Sequence, residues 1–191
     1  MSLRLAHIVF QTNKLEAMRD FYTALLNATV VFENEMMCFI TYDEEHHRVA
    51  FMKVPGGSNE RPPNSVGLMH AAYTFPDLET LLKRQQELQS KGIEPTAPIQ
   101  HGPTTSIYYR DPDGCLAELQ IDNFDSAQAA TDYMHSDAFI NDPLGPVFDP
   151  DRMYKAFTDG TPLDVLLTRE WAADCDQEPP AIARLSGMAD T

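Results

Sequence analysis

Five of the six histidines fall in the first 122 residues, and two of them occupy equivalent places in a repeated pattern. Leu-Ala-His at residues 5–7 is followed by Leu-Glu at 15–16. Leu-Met-His at residues 68–70 is followed by Leu-Glu at 78–79, so both matches have the same offset of 63 residues. The repeat therefore predicts that His7 and His70 are quasi-equivalent imidazoles at matching points of two similar modules.

A third group of interest is the carboxylate of Glu118, which interrupts the apolar run of residues 116–121. Burying an unpaired carboxylate is costly, so Glu118 requires a cation or a strong hydrogen-bond donor. Aligning the last strands of the two halves places Phe51, which cannot bind a metal, opposite it in the repeat. Two histidines and one carboxylate with open positions form the ligand set of non-haem Fe(II) oxygen chemistry.

The elements that must position these groups follow the same order in both halves. Apolar spacing predicts helices over residues 14–27 and 77–91, each preceded by a histidine-bearing strand. Three strands are expected after each helix, at 28–33, 36–42 and 48–54, and at 94–100, 106–110 and 115–121. The predicted fold is α+β, with two βαβββ modules (residues 3–54 and 66–122) paired into a cupped mixed sheet on which His7 and His70 converge.

The remaining residues differ in composition from this predicted domain, residues 1–122. Residues 123–191 contain 13 acidic and 4 basic residues and six of the prolines, against 16 acidic and 10 basic residues before them. We expect a mainly helical C-terminal extension, with helices near 126–134, 153–157 and 163–171. Its end, about residues 176–191, is predicted to be disordered. We expect the extension to cover the cupped surface or a partner subunit.

Composition excludes several classes of partner. The formal net charge of −15 argues against nucleic acid and anionic membranes, both of which need a basic face. No apolar run approaches the roughly 20 residues of a spanning helix. Three widely spaced cysteines do not form a disulfide framework, and the N-terminus does not read as a signal peptide, so a cytoplasmic location is expected.

One stretch resembles a known family signature. Ile99-Gln100-His101 is followed by Ile107-Tyr108, the turn Asp111-Pro112-Asp113-Gly114 and finally Glu118. This pattern is similar to that of the type I extradiol ring-cleavage dioxygenases of the vicinal oxygen chelate superfamily. The stretch of residues 47–51, His-Arg-Val-Ala-Phe, also resembles a family segment that contains an active-site histidine. The resemblance covers about residues 3–122. The single pair of modules is similar to the one-domain members of the family.

The resemblance implies roles for six residues. His7, His70 and Glu118 would bind the metal, Fe(II) or alternatively Mn(II). His47 would be the acid–base histidine, with the adjacent His46 as the alternative, and Tyr108 and His101 would be hydrogen-bonding groups beside the substrate. The substrate would be a small catechol cleaved with O2, and the enzyme would be a homo-oligomer, a dimer or higher.

Other uses of the same fold remain open at this point. A glyoxalase- or epimerase-like metal isomerase, or a resistance protein that binds a small molecule, would share the predicted modules. Glyoxalase-type sites generally need a fourth protein ligand, which Phe51 would not provide. A binding protein would not need His47, Tyr108 and His101 together.

Overall fold

A computed structural model describes residues 3–57, 66–175 and 178–187. These residues fall into two compact units, each with its own four-stranded mixed sheet. Unit 1 comprises residues 1–65 with residues 111–115, and unit 2 comprises residues 66–110 with 116–191. This α+β architecture of two strand–helix–three-strand modules confirms the predicted fold class. The predicted domain boundary after residue 122 stays a prediction.

The first unit contains the first half of the repeat. Its elements are β1 (Ile8–Thr12), α1 (Leu15–Leu26), β2 (Thr29–Glu33), β3 (Met37–Thr41) and β4 (Val49–Lys53). The strand order is β1-β4-β3-β2, with β1 parallel to β4 and the other neighbours antiparallel. Helix α1 buries one face at helical spacing against the sheet, through Leu15, Met18, Tyr22 and Leu25.

The turn at residues 111–115 belongs to this unit although it connects two strands of the other unit. Asp111 accepts hydrogen bonds from the backbone N–H groups of Asp113 (3.0 Å) and Cys115 (2.8 Å). The buried Tyr22 hydroxyl donates to the same carboxylate at 3.1 Å. The predicted turn is therefore present, and its first residue anchors it to α1.

The second unit repeats this order. It contains β5 (His70–Thr74), α2 (Leu78–Ser90), β6 (Ala97–Gln100), β7 (Thr104–Arg110) and β8 (Leu116–Asp122). The sheet order is β5-β8-β7-β6, with β5 parallel to β8. Asp77 caps α2, because its side chain accepts a hydrogen bond from the Thr80 N–H. Helix α2 buries four leucines and one glutamine, at positions 78, 81, 82, 88 and 85.

The described C-terminal residues, which belong to this second unit, form six short helices. They are α3 (Ala127–Met134), α4 (Asp137–Asn141), α5 (Pro150–Thr158), α6 (Leu163–Leu166) and α7 (Arg169–Ala173), followed by a sixth, α8 (Ala181–Ser186). The helix expected over 163–171 is divided, because Thr168 caps a new helix by accepting a hydrogen bond from the Trp171 N–H. Leu163, at the start of α6, is exposed.

Residues 178–187, which lie in the stretch predicted to be disordered, contain a short helix. Helix α8 lies in this stretch, and its Ala181 and Leu185 are buried in a cluster with residues of the sheet. Residues 176–177 and 188–191 lie outside the described part of the chain. Among the described residues, no helix is both long enough and apolar enough to cross a membrane.

Candidate active site

His70 and Glu118 meet on one face of the sheet of unit 2. His70 is the first residue of β5, and Glu118 is opposite Ala72 in the parallel pairing of β5 with β8. His70 and Ala72 share a face of the sheet, and Glu118 is opposite Ala72. The side chains of His70 and Glu118 therefore point to the same side of the sheet. Their Nε2 and Oε2 atoms are 3.0 Å apart, with the Glu118 side chain 5 % exposed and that of His70 34 % exposed.

The pKa values of this pair shift in opposite directions. The hydrogen bond to Glu118 raises the pKa of His70 above its ordinary value. The pKa of Glu118 is lowered: its burial favours the neutral acid, but hydrogen bonds from His70 and Ser106 outweigh that effect. A proton is thus held between an imidazole nitrogen and a carboxylate oxygen. These are donor atoms that Fe(II) and Mn(II) accept, so the pair fits a divalent metal.

Tyr108 lies beside this pair on the neighbouring strand. It is opposite Glu118 in the antiparallel pairing of β7 with β8. Its ring meets the His70 ring edge-on, with centroids 5.4 Å apart. Burial is the main cause that raises the pKa of the Tyr108 hydroxyl, and the Glu118 carboxylate adds to it. Tyr108 therefore remains a protonated hydroxyl that can take part in hydrogen bonds at neutral pH.

His101 completes the group from the end of β6. Its Nε2 atom lies 3.0 Å from the Tyr108 hydroxyl oxygen. Burial is the main cause that lowers the pKa of His101, so the ring is neutral near pH 7. The backbone of Leu144, in the C-terminal extension, acts to raise the pKa of this imidazole. Unit 2 thus brings together four of the six predicted site residues: His70, His101, Tyr108 and Glu118.

The other two predicted residues are neighbours in unit 1. His7 directly precedes β1, and its ring centroid lies 4.4 Å from that of His47. His47 also stacks on Phe39, at 4.9 Å and an interplanar angle of 19°. Burial, followed by the nearby His7 and His46, lowers the pKa of His47. This places the pKa of His47 below 6.5, where a neutral imidazole is available to accept a proton at pH 7.

His46, the alternative to His47, has a different environment. Its side chain is 71 % exposed, and its Nε2 lies 3.7 Å from a carboxylate oxygen of Glu45. Its Nδ1 is 2.6 Å from the Nδ1 of His47. The half-buried His47, stacked between His7 and Phe39, is the better-positioned of the two histidines.

The strand registers correct one detail of the repeat. In unit 2, Glu118 is opposite Tyr108. It also lies two residues after Leu116, the residue that pairs with His70. In unit 1, the residue that is equivalent to Glu118 by strand pairing is Ala50, which is opposite Phe39. Phe51 is opposite Cys38. The alignment of Glu118 with Phe51 is therefore wrong by one residue, which moves a side chain to the other face of a sheet. Phe51 instead packs with Phe10 and Tyr22.

This correction leaves one expectation unchanged. Ala50 has no metal-binding atom, so the first module offers no counterpart to the Glu118 carboxylate. The described residues contain no group of three or more His, Cys, Asp or Glu side chains that could hold a metal ion. The metal triad of His7, His70 and Glu118 stays a prediction.

Two groups that act on the site residues were not predicted from the sequence. The first is Ser106, which donates a hydrogen bond to Glu118. Its position two residues before Tyr108 on β7 could have indicated this, because residues two apart on a strand share a face. The second is the backbone of Leu144, which acts on the pKa of His101. No side-chain pattern could have revealed it.

Comparisons with known proteins identify the class to which this arrangement belongs. Residues 4–119 match the model of the glyoxalase/bleomycin resistance protein/dioxygenase superfamily. The chain belongs to this superfamily, as its resemblance to the vicinal oxygen chelate proteins predicted.

Two proteins of Rhodococcus globerulus resemble nearly the whole chain. Biphenyl-2,3-diol 1,2-dioxygenase 3 is 53 % identical over 175 residues, which cover 91 % of this chain and 92 % of the relative. Biphenyl-2,3-diol 1,2-dioxygenase 2 is 49 % identical over 177 residues, which cover 93 % of each. The similarity therefore extends through most of the C-terminal extension as well as the repeated modules.

Solved structures with much lower identity share the fold. A glyoxalase/bleomycin resistance protein/dioxygenase from Nocardioides has a TM-score of 0.50 at 19 % identity, covering 64 % of this chain and 85 % of that one. An integron cassette protein from the Halifax Harbour sewage outfall metagenome has a TM-score of 0.50 at 17 % identity, covering 62 % and 97 %.

Proposed function

We propose that this protein is an extradiol ring-cleavage dioxygenase, which opens the aromatic ring of a catechol and incorporates both atoms of O2. The observation that carries the proposal is the hydrogen-bonded group of His70, Glu118, Tyr108 and His101 on one sheet face. The two Rhodococcus relatives are named for dioxygenase activity on biphenyl-2,3-diol, which is itself a catechol. An aryl-substituted catechol is therefore the first substrate class to test.

The metal would be held by His7, His70 and Glu118, and we propose Fe(II) as the resident ion, with Mn(II) as the alternative. The donor set supports this choice, because two imidazole nitrogens and one carboxylate leave open positions for small ligands. When bound, the metal would lower the pKa of the catechol hydroxyls and accept both the catechol and O2.

His47 is the proposed acid–base residue. Its lowered pKa leaves the imidazole neutral, so it can accept a proton from a catechol hydroxyl and return it later in the reaction. Its ring stacking on Phe39 and His7 restricts its orientation. General acid–base groups of this type contribute about 10²–10⁴-fold to rate.

Tyr108 and His101 are the proposed hydrogen-bonding groups at the substrate. Both are largely buried and are connected to Glu118 through the Tyr108 hydroxyl. In a site with little water, hydrogen bonds of fixed direction stabilise charge that develops on oxygen during reaction. Their role is to orient and stabilise the bound oxygen atoms.

A homo-oligomer and a cytoplasmic location remain part of the proposal. Exposed apolar residues of β2, at positions 30–32, are consistent with association between copies. Size-exclusion chromatography with light scattering tests this: a mass near 21.5 kDa would contradict it, and twice that mass or more would support it.

The decisive experiment is anaerobic reconstitution with Fe(II), followed by air and a panel of catechols that includes biphenyl-2,3-diol. We expect a yellow ring-opened product that contains two oxygen atoms from ¹⁸O₂. No turnover across the panel, together with metal-dependent isomerisation of a thiohemiacetal, would instead establish the isomerase alternative. Tight binding of a panel compound without conversion would indicate a binding protein.

Two adjacent histidines provide a matched pair of variants for the acid–base assignment. His47→Phe should abolish turnover while leaving the iron content unchanged. His46→Phe should retain most of the activity, because its ring is largely exposed. Loss of activity in His46→Phe with retention in His47→Phe would transfer the role to His46.

A further inference from the structure

Arg48 follows His47 in the chain, and its guanidinium contacts the residues that precede His7. Its Nη1 atom donates to the backbone oxygens of Leu5 at 2.6 Å and Ala6 at 3.1 Å. The Arg48 side chain is only 16 % exposed. These two hydrogen bonds therefore connect the start of the described chain to the beginning of β4, across 43 and 42 residues of sequence.

The backbone of Arg48 holds the residue on the other side of His7. The Ile8 N–H donates to the Arg48 oxygen at 3.0 Å, beside the parallel pairing of Ile8 with Val49. His7 itself precedes β1, so the strand begins only after it. The side chain of Arg48 binds positions 5 and 6, and its carbonyl binds position 8. Arg48 thus restrains the main chain on both sides of His7.

Asp43 fixes the orientation of the Arg48 guanidinium. The Arg48 Nε donates to the two Asp43 carboxylate oxygens at 3.0 and 2.9 Å, and Nη2 lies 2.9 Å from Oδ2. The Glu45 N–H donates to the same carboxylate at 3.0 Å. A two-pronged pairing of guanidinium with carboxylate is geometrically specific. It leaves Nη1 directed at the backbone oxygens of residues 5 and 6.

The loop between β3 and β4 that contains Asp43 also contains His47. The Arg48 N–H donates to the Ile40 oxygen at 2.9 Å, which closes this loop at its base. The guanidinium then joins the loop to the chain before His7. The rings of His7 and His47 lie side by side, with centroids 4.4 Å apart. One arginine therefore holds the backbones that carry both imidazoles.

We propose that Arg48, oriented by Asp43, is a positioning residue that fixes the His7 backbone against the loop containing His47, and so sets the spacing of the two imidazoles. This pair of side chains is called the Arg48 clamp below. The consequence for metal binding and catalysis rests on the proposed dioxygenase function. The restraint of residues 5–8 by the clamp does not.

The charge of the clamp is compatible with a cation at His7. An unpaired guanidinium near this imidazole would repel a divalent ion, whereas the Asp43 carboxylate neutralises it. The pairing also favours the charged form of the carboxyl group, because its hydrogen bonds with Arg48 are the main cause that lowers the pKa of Asp43. The clamp therefore supplies rigidity at His7 without adding net charge.

The first test measures backbone hydrogen exchange by NMR in the metal-free protein. Arg48→Gln should speed exchange of the Ile8 amide by about tenfold or more, because the segment before β1 is released. Arg4→Gln is the control, since Arg4 is 80 % exposed and lies 3.9 Å from Glu45. It should leave the exchange rate within about twofold. Unchanged exchange in Arg48→Gln would overturn the proposal, whether or not the protein cleaves any catechol.

The second test measures Mn(II) affinity by calorimetry, which does not depend on turnover. Arg48→Gln should weaken binding by about 10–100-fold, the cost typical of losing a supporting residue. Arg4→Gln should change it by less than about threefold. His7→Ala separates the two possible failures. If it leaves the affinity unchanged, the proposed metal triad fails and hydrogen exchange alone decides the clamp. If it weakens binding and Arg48→Gln does not, the clamp does not position His7.

A double-mutant cycle tests whether Asp43 acts through Arg48. Asp43→Asn should weaken Mn(II) binding on its own but have no further effect in an Arg48→Gln background. Additive losses would show that Asp43 acts by another route. If Arg48→Gln does not fold, Arg48→Lys replaces it in every test, since lysine keeps the charge but lacks the planar fork of donors.

Turnover reports on the His47 side of the clamp. With saturating Fe(II), Arg48→Gln should lower kcat by a larger factor than it raises KM, because the proposed acid–base group is displaced relative to His7. Arg4→Gln should leave both parameters close to those of the wild type. A change in KM alone would show that the clamp does not set the spacing of the two imidazoles.

Discussion

At the scale of single residues, the pairing of His70 with Glu118 gives the metal-free protein a defined pH dependence. His70 has a raised pKa, so its contribution to stability is complete below about 6.5 and is lost as pH rises through the raised value. Glu118 has a lowered pKa, so its contribution is present above about 4.5 and is lost as pH falls through the lowered value. The pair stabilises the fold most between these two limits.

Glu118→Gln tests this pH window. We expect the metal-free variant to lose the stabilisation that the His70–Glu118 pair contributes between about pH 4.5 and 6.5, measured by urea unfolding at several pH values. The variant should also bind Mn(II) at least 10–100-fold more weakly at pH 7.5, by calorimetry. An unchanged stability profile would mean that the carboxylate does not hold the proton shared with His70.

A second residue-scale prediction concerns the buried Tyr22 hydroxyl, which donates to Asp111 at 3.1 Å. Tyr22→Phe removes a hydrogen bond to a buried carboxyl group whose pKa is already raised by burial. We expect a loss of about 1.5–3 kcal/mol in the free energy of unfolding, measured in urea. Tyr154→Phe, in α5, serves as the control with an expected change below about 0.5 kcal/mol.

At the scale of elements, helix α8 stabilises the face of the second sheet that contains Tyr108. Leu185 is 6 % exposed and belongs to one cluster with Tyr108, Leu116 and Ala97. On the same helix, Ile182 is 59 % exposed. Arg110 donates to the backbone oxygens of Arg184 and Leu185 at the end of the helix, where a cation is favourable.

The two side chains of α8 give a matched comparison. Leu185→Ala should lower the free energy of unfolding by about 2–3 kcal/mol, since it leaves a cavity against the sheet. Ile182→Ala should change it by less than about 0.5 kcal/mol. Chemical denaturation of the two variants measures both values, and similar losses would show that α8 is not held through Leu185.

The elements also show how far the sequence could specify the fold. Helices and strands of both modules lie within about three residues of their predicted limits, because apolar spacing and a repeated order determined them. Helix α8 was missed, since six residues after two prolines give little periodicity. The equivalence of Glu118 with Phe51 failed because only the pairing of strands, not the sequence, sets the register.

The candidate site was predictable only where side chains define it. Histidines and a carboxylate at repeat and motif positions pointed to His70, Glu118, Tyr108 and His101, which lie together in the structure. The pairing of β6 with the C-terminal extension depends on backbone groups: the Gln100 N–H donates to the Pro146 oxygen, and the Phe148 N–H donates to the Pro98 oxygen. Residue type carries no information on such a contact.

At the scale of the whole molecule, neither unit is one continuous segment. Residues 111–115 belong to unit 1, while β7 and β8 on either side of them belong to unit 2. We expect a fragment of residues 1–65 to remain unfolded, because it lacks Asp111 and about 60 residues form only a marginal core. Circular dichroism and proton NMR of the fragment, with the full chain as control, measure this. A cooperatively folded fragment would contradict it.

The turn at residues 111–115 has a consequence for the protein as it leaves the ribosome. When residue 65 has been synthesised, Asp111, whose carboxylate accepts the hydrogen bond from Tyr22, is still nearly 50 residues further along the chain. At about 5–20 residues per second, that wait is roughly 2–10 s. During this interval the Tyr22 hydroxyl lacks the Asp111 carboxylate to which it donates in the folded protein. Nascent chains halted before residue 111 should therefore be bound by chaperones more than chains halted after residue 115.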